Sequence, residues 1–171
     1  MRILGIDPGY AIVGYGVLEF DNVRFKTVNY GAITTKPETP FADRLLEIYT
    51  DMCSLLDTFK PDCMSVEKLY FNTNTTTGID VAQARGVIVM AAAQRNIPIF
   101  EYTPLQVKKA VTGYGVAEKH QVQKMTKNIL GLKEIPKPDD TADALAIAIC
   151  HGHTGGSRLS EIMRENTAQY S

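Results

Sequence analysis

The sequence predicts one α/β domain, a five-stranded mixed sheet flanked by helices, on three observations. The first third holds three apolar segments divided by turn residues, as antiparallel strands joined by hairpins do. Two later strand-like runs alternate with segments of helical periodicity, the pattern of strands joined through helices. The chain has 171 residues, enough for one well-filled core. Residues 1–153 are expected to form the domain and 154–171 a C-terminal tail.

Arg2 to Asp7 is a short apolar run stopped by Pro8-Gly9, a buried strand ending in a tight turn. Ile12 to Phe20 is a second strand, in which Gly14 and Gly16 permit close approach of another backbone or a ligand. Asp21-Asn22 suits a hairpin turn, and Val23 to Thr34 a third strand with a bulge at Gly31. Thr39-Pro40 reads as an N-cap with proline at the first helical position. Phe41, Leu45, Ile48, Met52, Leu55 and Phe59 follow at helical spacing until Pro61.

Cys63 to Glu67 is a fourth strand, and the polar stretch at 71–78 an exposed loop. Thr77 and Asp80 are a plausible capping pair for a helix from about Gly78 to Arg95. That helix is apolar on more than one side, which predicts burial against its own sheet and against a second subunit. Ile97 to Tyr102 is a fifth strand, and Thr103-Pro104 opens a short helix carrying Lys108 and Lys109. After a glycine-bearing loop at 113–119, a helix aligns His120, Lys124 and Lys127, with Val122, Met125 and Ile129 opposite. A last, strongly apolar helix from Asp139 is expected to break at Thr154-Gly155-Gly156-Ser157.

Composition narrows the function classes. No stretch approaches the ~20 apolar residues of a membrane span, and no apolar run precedes a cleavage site, so a cytoplasmic place is expected. Cys53, Cys63 and Cys150 are odd in number and unpaired in spacing, which argues against a zinc site or a disulfide framework. The formal net charge is −1, yet seven lysines and three acids fall between Glu101 and Pro138. The negative excess lies elsewhere, as in a protein that keeps acids in one place and a phosphate-binding surface in another.

Four acids stand where an acid is costly. Asp7 ends the first strand and Glu67 the fourth. Asp140 and Asp143, three apart at the start of an apolar helix, share a face. Each alone has an ordinary use: a turn, a solvated strand end, a helix cap. Together they can converge, and clustered carboxylates repel unless cations neutralise them. Hard ions with oxygen ligands, Mg²⁺ or Mn²⁺, are the natural partners. Two of them can polarise a phosphate and stabilise a leaving oxygen. His151 and His153 point different ways on a helix and have no completing ligand, and no serine sits in a nucleophile elbow.

Five blocks carry a family resemblance: ILGIDPG (3–9) with GYGV (14–17), SVEKLYF (65–71), AQARGV (82–87), EYTPLQVKKAVTGYGVAEKHQVQ (101–123) and DDTADALAIAICH (139–151). In order and spacing they resemble the RuvC Holliday junction resolvases, over nearly the whole chain up to His153. The resemblance implies an RNase H-like fold, a homodimer through helix 78–95 and Mg²⁺-dependent hydrolysis at four-way DNA junctions. Paired symmetric nicks would leave 5′-phosphates, in homologous recombination and DNA repair. Two Mg²⁺ per site are implied, with Mn²⁺ able to substitute. The RuvA–RuvB branch-migration complex is an implied partner, and the bacterial nucleoid an implied location.

By position, Asp7, Glu67, Asp140 and Asp143 match the metal-binding catalytic acids. Lys108 and Lys119 match lysines that hold phosphates at the scissile bond, Lys119 with a catalytic role. Tyr70 matches an aromatic, usually Phe, that stacks on an opened base. Lys124 and Lys127 add phosphate contacts. Thr73 stands where a basic residue is usual, and Lys68 can supply that charge instead. The doublet Asp139-Asp140 leaves two candidates for the third acid, with Asp140 chosen because it precedes Asp143 by three. An RNA-directed nuclease of the same fold, a non-catalytic junction-binding module and an actin-like ATPase are the competing readings.

Overall fold

A computed structural model describes residues 1–68 and 75–168, with side chains at 1–68 and 78–155. Tyr70, Thr73 and the first part of the expected polar loop lie outside the described residues. Among the described residues five strands form one sheet: β1 (Arg2–Asp7), β2 (Ile12–Phe20), β3 (Phe25–Thr34), β4 (Cys63–Glu67) and β5 (Ile99–Tyr102). Their order is β3-β2-β1-β4-β5. The first three pair antiparallel, while β4 and β5 join parallel to β1. The mixed five-stranded sheet expected from the pattern is therefore present. Asn22 turns the first hairpin at φ 76°, and the Asp21 carboxylate accepts from the N–H groups of Val23 and Arg24.

Among the described residues five helices cover the sheet: α1 (Phe41–Phe59), α2 (Thr75–Ala93), α3 (Pro104–Thr112), α4 (Lys119–Leu130) and α5 (Asp139–Ala168). The period-two alternation of the strands sorts two cores. Leu4, Ile6, Met64 and Val66 meet Ile48, Met52 and Leu56 of α1 and Ala84 and Ile88 of α2. On the other face Ile3 and Cys63 meet Val107, Val122, Leu145 and Ile149 of α3, α4 and α5. The result is a three-layer α/β/α body. Among the described residues no helix is long and apolar enough to cross a membrane.

Several expected details differ. The bulge lies not at Gly31 but at Val28, where the register shifts between Val17 and Leu18; Gly31 instead makes room for the Tyr15 ring. Pro40 takes the N-cap position rather than the first helical one. α2 starts at Thr75, so Thr77 lies inside its first turn instead of before it. In α4, Met125 is exposed while Gln123 and Thr126 are buried beside Val122: at 100° per residue the buried arc runs from Val122 through Thr126 to Gln123, and Met125 lies about 60° beyond its Val122 edge. α5 continues through Thr154-Gly155-Gly156-Ser157. Glycine inside a helix costs only about 1 kcal/mol. Here Gly155 packs on the His151 ring, where a Cβ would come within 2.7 Å, and Thr154 Oγ1 donates to the Cys150 carbonyl.

The contact that matters most for function is α5 against β1 and β2. A Cβ on Gly5 would stand 2.1 Å from the Ala144 carbonyl oxygen, and one on Gly14 2.0 Å from that of Asp140. The helix backbone thus rests on bare strand backbone, the close approach that the strand glycines predict. Thr141 Oγ1 donates to the Gly31 carbonyl at 3.1 Å and ties the start of α5 to the outer strand.

Candidate active site

Parallel register brings the first two acids together. Ile6 pairs with Val66, so the next residues, Asp7 and Glu67, end adjacent strands at the same level, about 4.8 Å apart along the sheet. Alternation turns both side chains to the face of Ile3, Gly5 and Cys63, which is the face α5 covers. α5 enters across Gly14, the β2 partner of Asp7, and delivers Asp140 and Asp143 to the same end. The sequence-predicted acids therefore meet, from two strands and one helix.

Their electrostatics show the proximity. Asp7 is pushed up to about 8, first by burial and then by the charges of Glu67, Asp143 and Asp140, with Lys119 opposing. Burial also raises Glu67, helped by Asp143 and opposed by Lys119. Asp143 is raised by burial, against a hydrogen bond from Lys119. The bond to Asp143 in turn raises Lys119. Asp140, the chosen member of the doublet, is the one whose charge bears on Asp7. Asp139 turns to Lys137, whose Nζ lies 2.6 Å away, and this partner holds its carboxyl below the usual range.

Lys119 opens α4, where the positive pole of the helix disfavours a cation. The acids compensate: its Nζ stands 2.9 Å from Asp143 and 3.9 Å from Asp139. Lys108 and Lys119 flank one small cavity together with Glu67 and Asp143. Lys124 and Lys127 do not line it. At 100° per residue they lie about 140° and 80° around the helix from Lys119, and so face elsewhere. The Lys68 side chain is exposed beside Glu67, and its N–H donates to the Tyr102 carbonyl at 2.8 Å.

Among the described residues no three Asp, Glu, His or Cys side chains close around one point as a ready-made metal cage. Lys119 instead supplies the positive charge. The donor set nevertheless suits a hard divalent ion: it is all oxygen, partly buried and mutually repelling, so a cation relieves a real cost. The cysteines are free, with Cys63 and Cys150 buried. His151 is buried and bonded through Nδ1 to the Tyr102 hydroxyl at 2.7 Å, and burial lowers it to about 4.

One supporting residue escapes a motif-based reading. Arg44 is buried, its Nε donates to Thr35 Oγ1 at 2.8 Å, and its guanidinium lies 4.5 Å from the Tyr10 ring centroid. Thr35 Oγ1 in turn donates to the Tyr10 carbonyl at 2.6 Å. This clamp holds the turn that follows Asp7. Its signal was present, since Arg44 continues the buried stripe Ile48, Met52 and Leu56 at four-residue steps.

Comparison with known proteins agrees with this geometry. The family model described as crossover junction endodeoxyribonuclease RuvC matches residues 3–151. A protein of that name from Brevibacillus brevis is 60% identical over 151 residues, 88% of this chain and 91% of the relative. The solved structure of Thermus thermophilus RuvC superposes with a TM-score of 0.85 at 34% identity, covering 92% of this chain and 96% of the other. The structure of the T. thermophilus protein in complex with a Holliday junction substrate gives 0.84 at 32% identity, with the same coverage. The expected RNase H-like fold is thereby established.

Proposed function

This chain belongs to the RuvC family of crossover junction endodeoxyribonucleases, and from that premise we propose that it resolves four-way DNA junctions by paired symmetric nicks. The observation that carries the reading is the convergence of Asp7, Glu67, Asp140 and Asp143 at one end of the sheet, with Asp7 pushed up to about 8. Acids so placed would hold Mg²⁺, two ions per site, with Mn²⁺ able to substitute. When bound, the ions would polarise the scissile phosphate for in-line attack by water, leaving a 5′-phosphate and a 3′-hydroxyl.

The chain's own residues do the rest. Asp7 and Glu67, rooted in adjacent strands, set a rigid base for the ligand oxygens. Lys119, which pairs with Asp143, stands where it can turn to the substrate and stabilise charge developing on phosphorus oxygens. Lys108 across the cavity would fix the phosphate backbone, and Lys68, Lys124 and Lys127 would add salt-sensitive contacts farther out. Tyr70 would stack on an opened base, worth ~1–3 kcal/mol.

A homodimer fits both substrate and surface. A two-fold dimer matches a two-fold junction and places one site on each of two strands. On α2, Ala84, Ile88 and Ala91 are buried, whereas Ile79 and Met90 are 56% and 47% exposed. Gly86 faces open space, which lets a second helix approach closely. Docking of the RuvA–RuvB complex, action in recombination and repair, and a place on the bacterial nucleoid belong to the same proposal.

The test is a synthetic mobile four-way junction beside duplex DNA and RNA-containing substrates, with Mg²⁺ and products mapped to the nucleotide. Two symmetry-related nicks with 5′-phosphate ends are expected. Preferential cutting of RNA would favour an RNA-directed nuclease, and binding without cutting in any divalent ion a non-catalytic junction module.

A further inference from the structure

Beside the acids, α3, α4 and α5 line an open-sided slot of about 170 Å³. Its mouth carries Glu67, Asp143, Lys108 and Lys119. Its walls are Pro104, Val107, Val122, Ala146 and Ile147. Of these, Val107, Val122, Ala146 and Ile147 are buried. Among the described residues, no wall side chain can donate or accept a hydrogen bond. That space admits a five-membered ring.

The mouth and the walls make different demands. The two lysines and the acids call for an anionic group that a cation can bridge. The walls call for a compact apolar body attached directly to it. In a nucleic-acid strand the reacting phosphate is joined through its 3′-ester oxygen to one sugar ring and through its 5′-oxygen and a methylene to the next. In DNA, either ring presents a bare methylene at its 2′-carbon. We infer that the slot receives the deoxyribose next to the cleaved phosphate and rejects ribose at the 2′-position.

The physics is one of desolvation. A 2′-methylene against Val107 and Val122 loses only water it holds weakly. A 2′-hydroxyl there would shed its hydrogen-bonded water and find no partner among the wall side chains. Selection for DNA would then act in the chemical step, when the sugar is pressed home, more than in the many backbone contacts that hold the junction.

The inference rests on the junction-cleaving reading, and substrate chemistry separates the two. Junctions are built with one nucleotide changed, on each side of the cleaved phosphate in turn, to ribose or to 2′-fluoro-deoxyribose. The fluorinated sugar keeps the ring pucker of RNA but has no hydroxyl. Cleavage under single-turnover conditions and junction binding are both measured. With ribose on one side we expect cleavage slowed by about 10- to 100-fold, binding within about twofold, and near-normal cleavage of the fluorinated junction. Val122→Thr, which puts a hydroxyl in the wall at constant shape, narrows the ribose-to-deoxyribose ratio, and Val107→Thr serves if the first variant folds poorly.

Equal cleavage of ribose and deoxyribose junctions overturns the inference. So does a fluorinated junction as slow as the ribose one, which would assign the effect to pucker. A Thr variant that slows both substrates equally overturns it as well. Failure of the wild-type protein to cut the all-deoxy junction at all would sink the parent reading instead.

Discussion

Replacing Asp7 by Asn should make the metal-free protein more stable while abolishing cleavage. Folding raises the proton affinity of Asp7 from an ordinary carboxylate value of 3.8 to about 8. Between those values the folded state binds more protons than the unfolded chain. The contribution of Asp7 to stability is therefore fully present below about pH 4 and is lost as pH rises through about 8. At 1.36 kcal/mol per decade of affinity, the whole change amounts to about 6 kcal/mol. Rearrangement of Lys119 and the neighbouring acids relieves part of it, leaving about 2–4 kcal/mol at pH 8.

An amide at this position cannot ionise and escapes that loss. At about 2–4 °C per kcal/mol for a chain of this size, Asp7→Asn should raise Tm in EDTA by about 4–16 °C at pH 8. The gap should shrink as pH falls and close near pH 4. Added Mg²⁺ should close most or all of it, because ligand binding stabilises the intact acid set by about 2.7 kcal/mol at 100 times Kd. Scanning fluorimetry from pH 4 to 9, with and without Mg²⁺, reads all of this. A variant that melts at or below wild type throughout that range in EDTA would refute the convergence of acids on Asp7. Junction binding by the variant should stay near wild type, since phosphate contacts dominate affinity.

Three further outcomes follow from the same geometry. Lys119→Met should slow cleavage about 100-fold and lower metal-free stability by about 1 kcal/mol, because the Lys119 side of the Asp143 ion pair is largely exposed; normal single-turnover rates would remove its catalytic role. Gly14→Ala places a methyl 2.0 Å from the Asp140 carbonyl oxygen. The start of α5 must shift, so urea titration should show a loss of about 1–3 kcal/mol and cleavage should fall even where the variant remains folded. Met90→Glu on the exposed side of α2 should leave the fold within about 0.5 kcal/mol but yield monomers in sedimentation. A variant that stays dimeric would move the interface elsewhere.

Much of the molecule was legible because local periodicity encodes both element and face. Period-two alternation marks Asp7 and Glu67 as strand ends, and three-residue spacing puts Asp140 and Asp143 on one side of a helix. Turn residues at Pro8-Gly9 and Asp21-Asn22 divide the strands. Lys119 was identified by resemblance, since nothing in its local pattern distinguishes it from Lys124 or Lys127. The long apolar α5 was legible at its start and not at its end. Thr154-Gly155-Gly156 reads as a break, yet the space that Gly155 fills on His151 rewards continuation.

Sequence by itself determined which residues could serve: an α/β chain, strand-terminal acids, an acid pair at a helix start, lysines concentrated in one segment. Only the tertiary structure decided which of them meet. The parallel register of β1 with β4 sets Asp7 level with Glu67, and bare backbone at Gly5 and Gly14 lets α5 lie close enough to join them. Packing likewise sent Asp139 to Lys137 while Asp140 stayed near Asp7, and left an apolar slot beside the charges. The physical reason is range. Side-chain direction repeats every two or 3.6 residues and can be read along the chain, whereas distances across it depend on how whole faces fill one another.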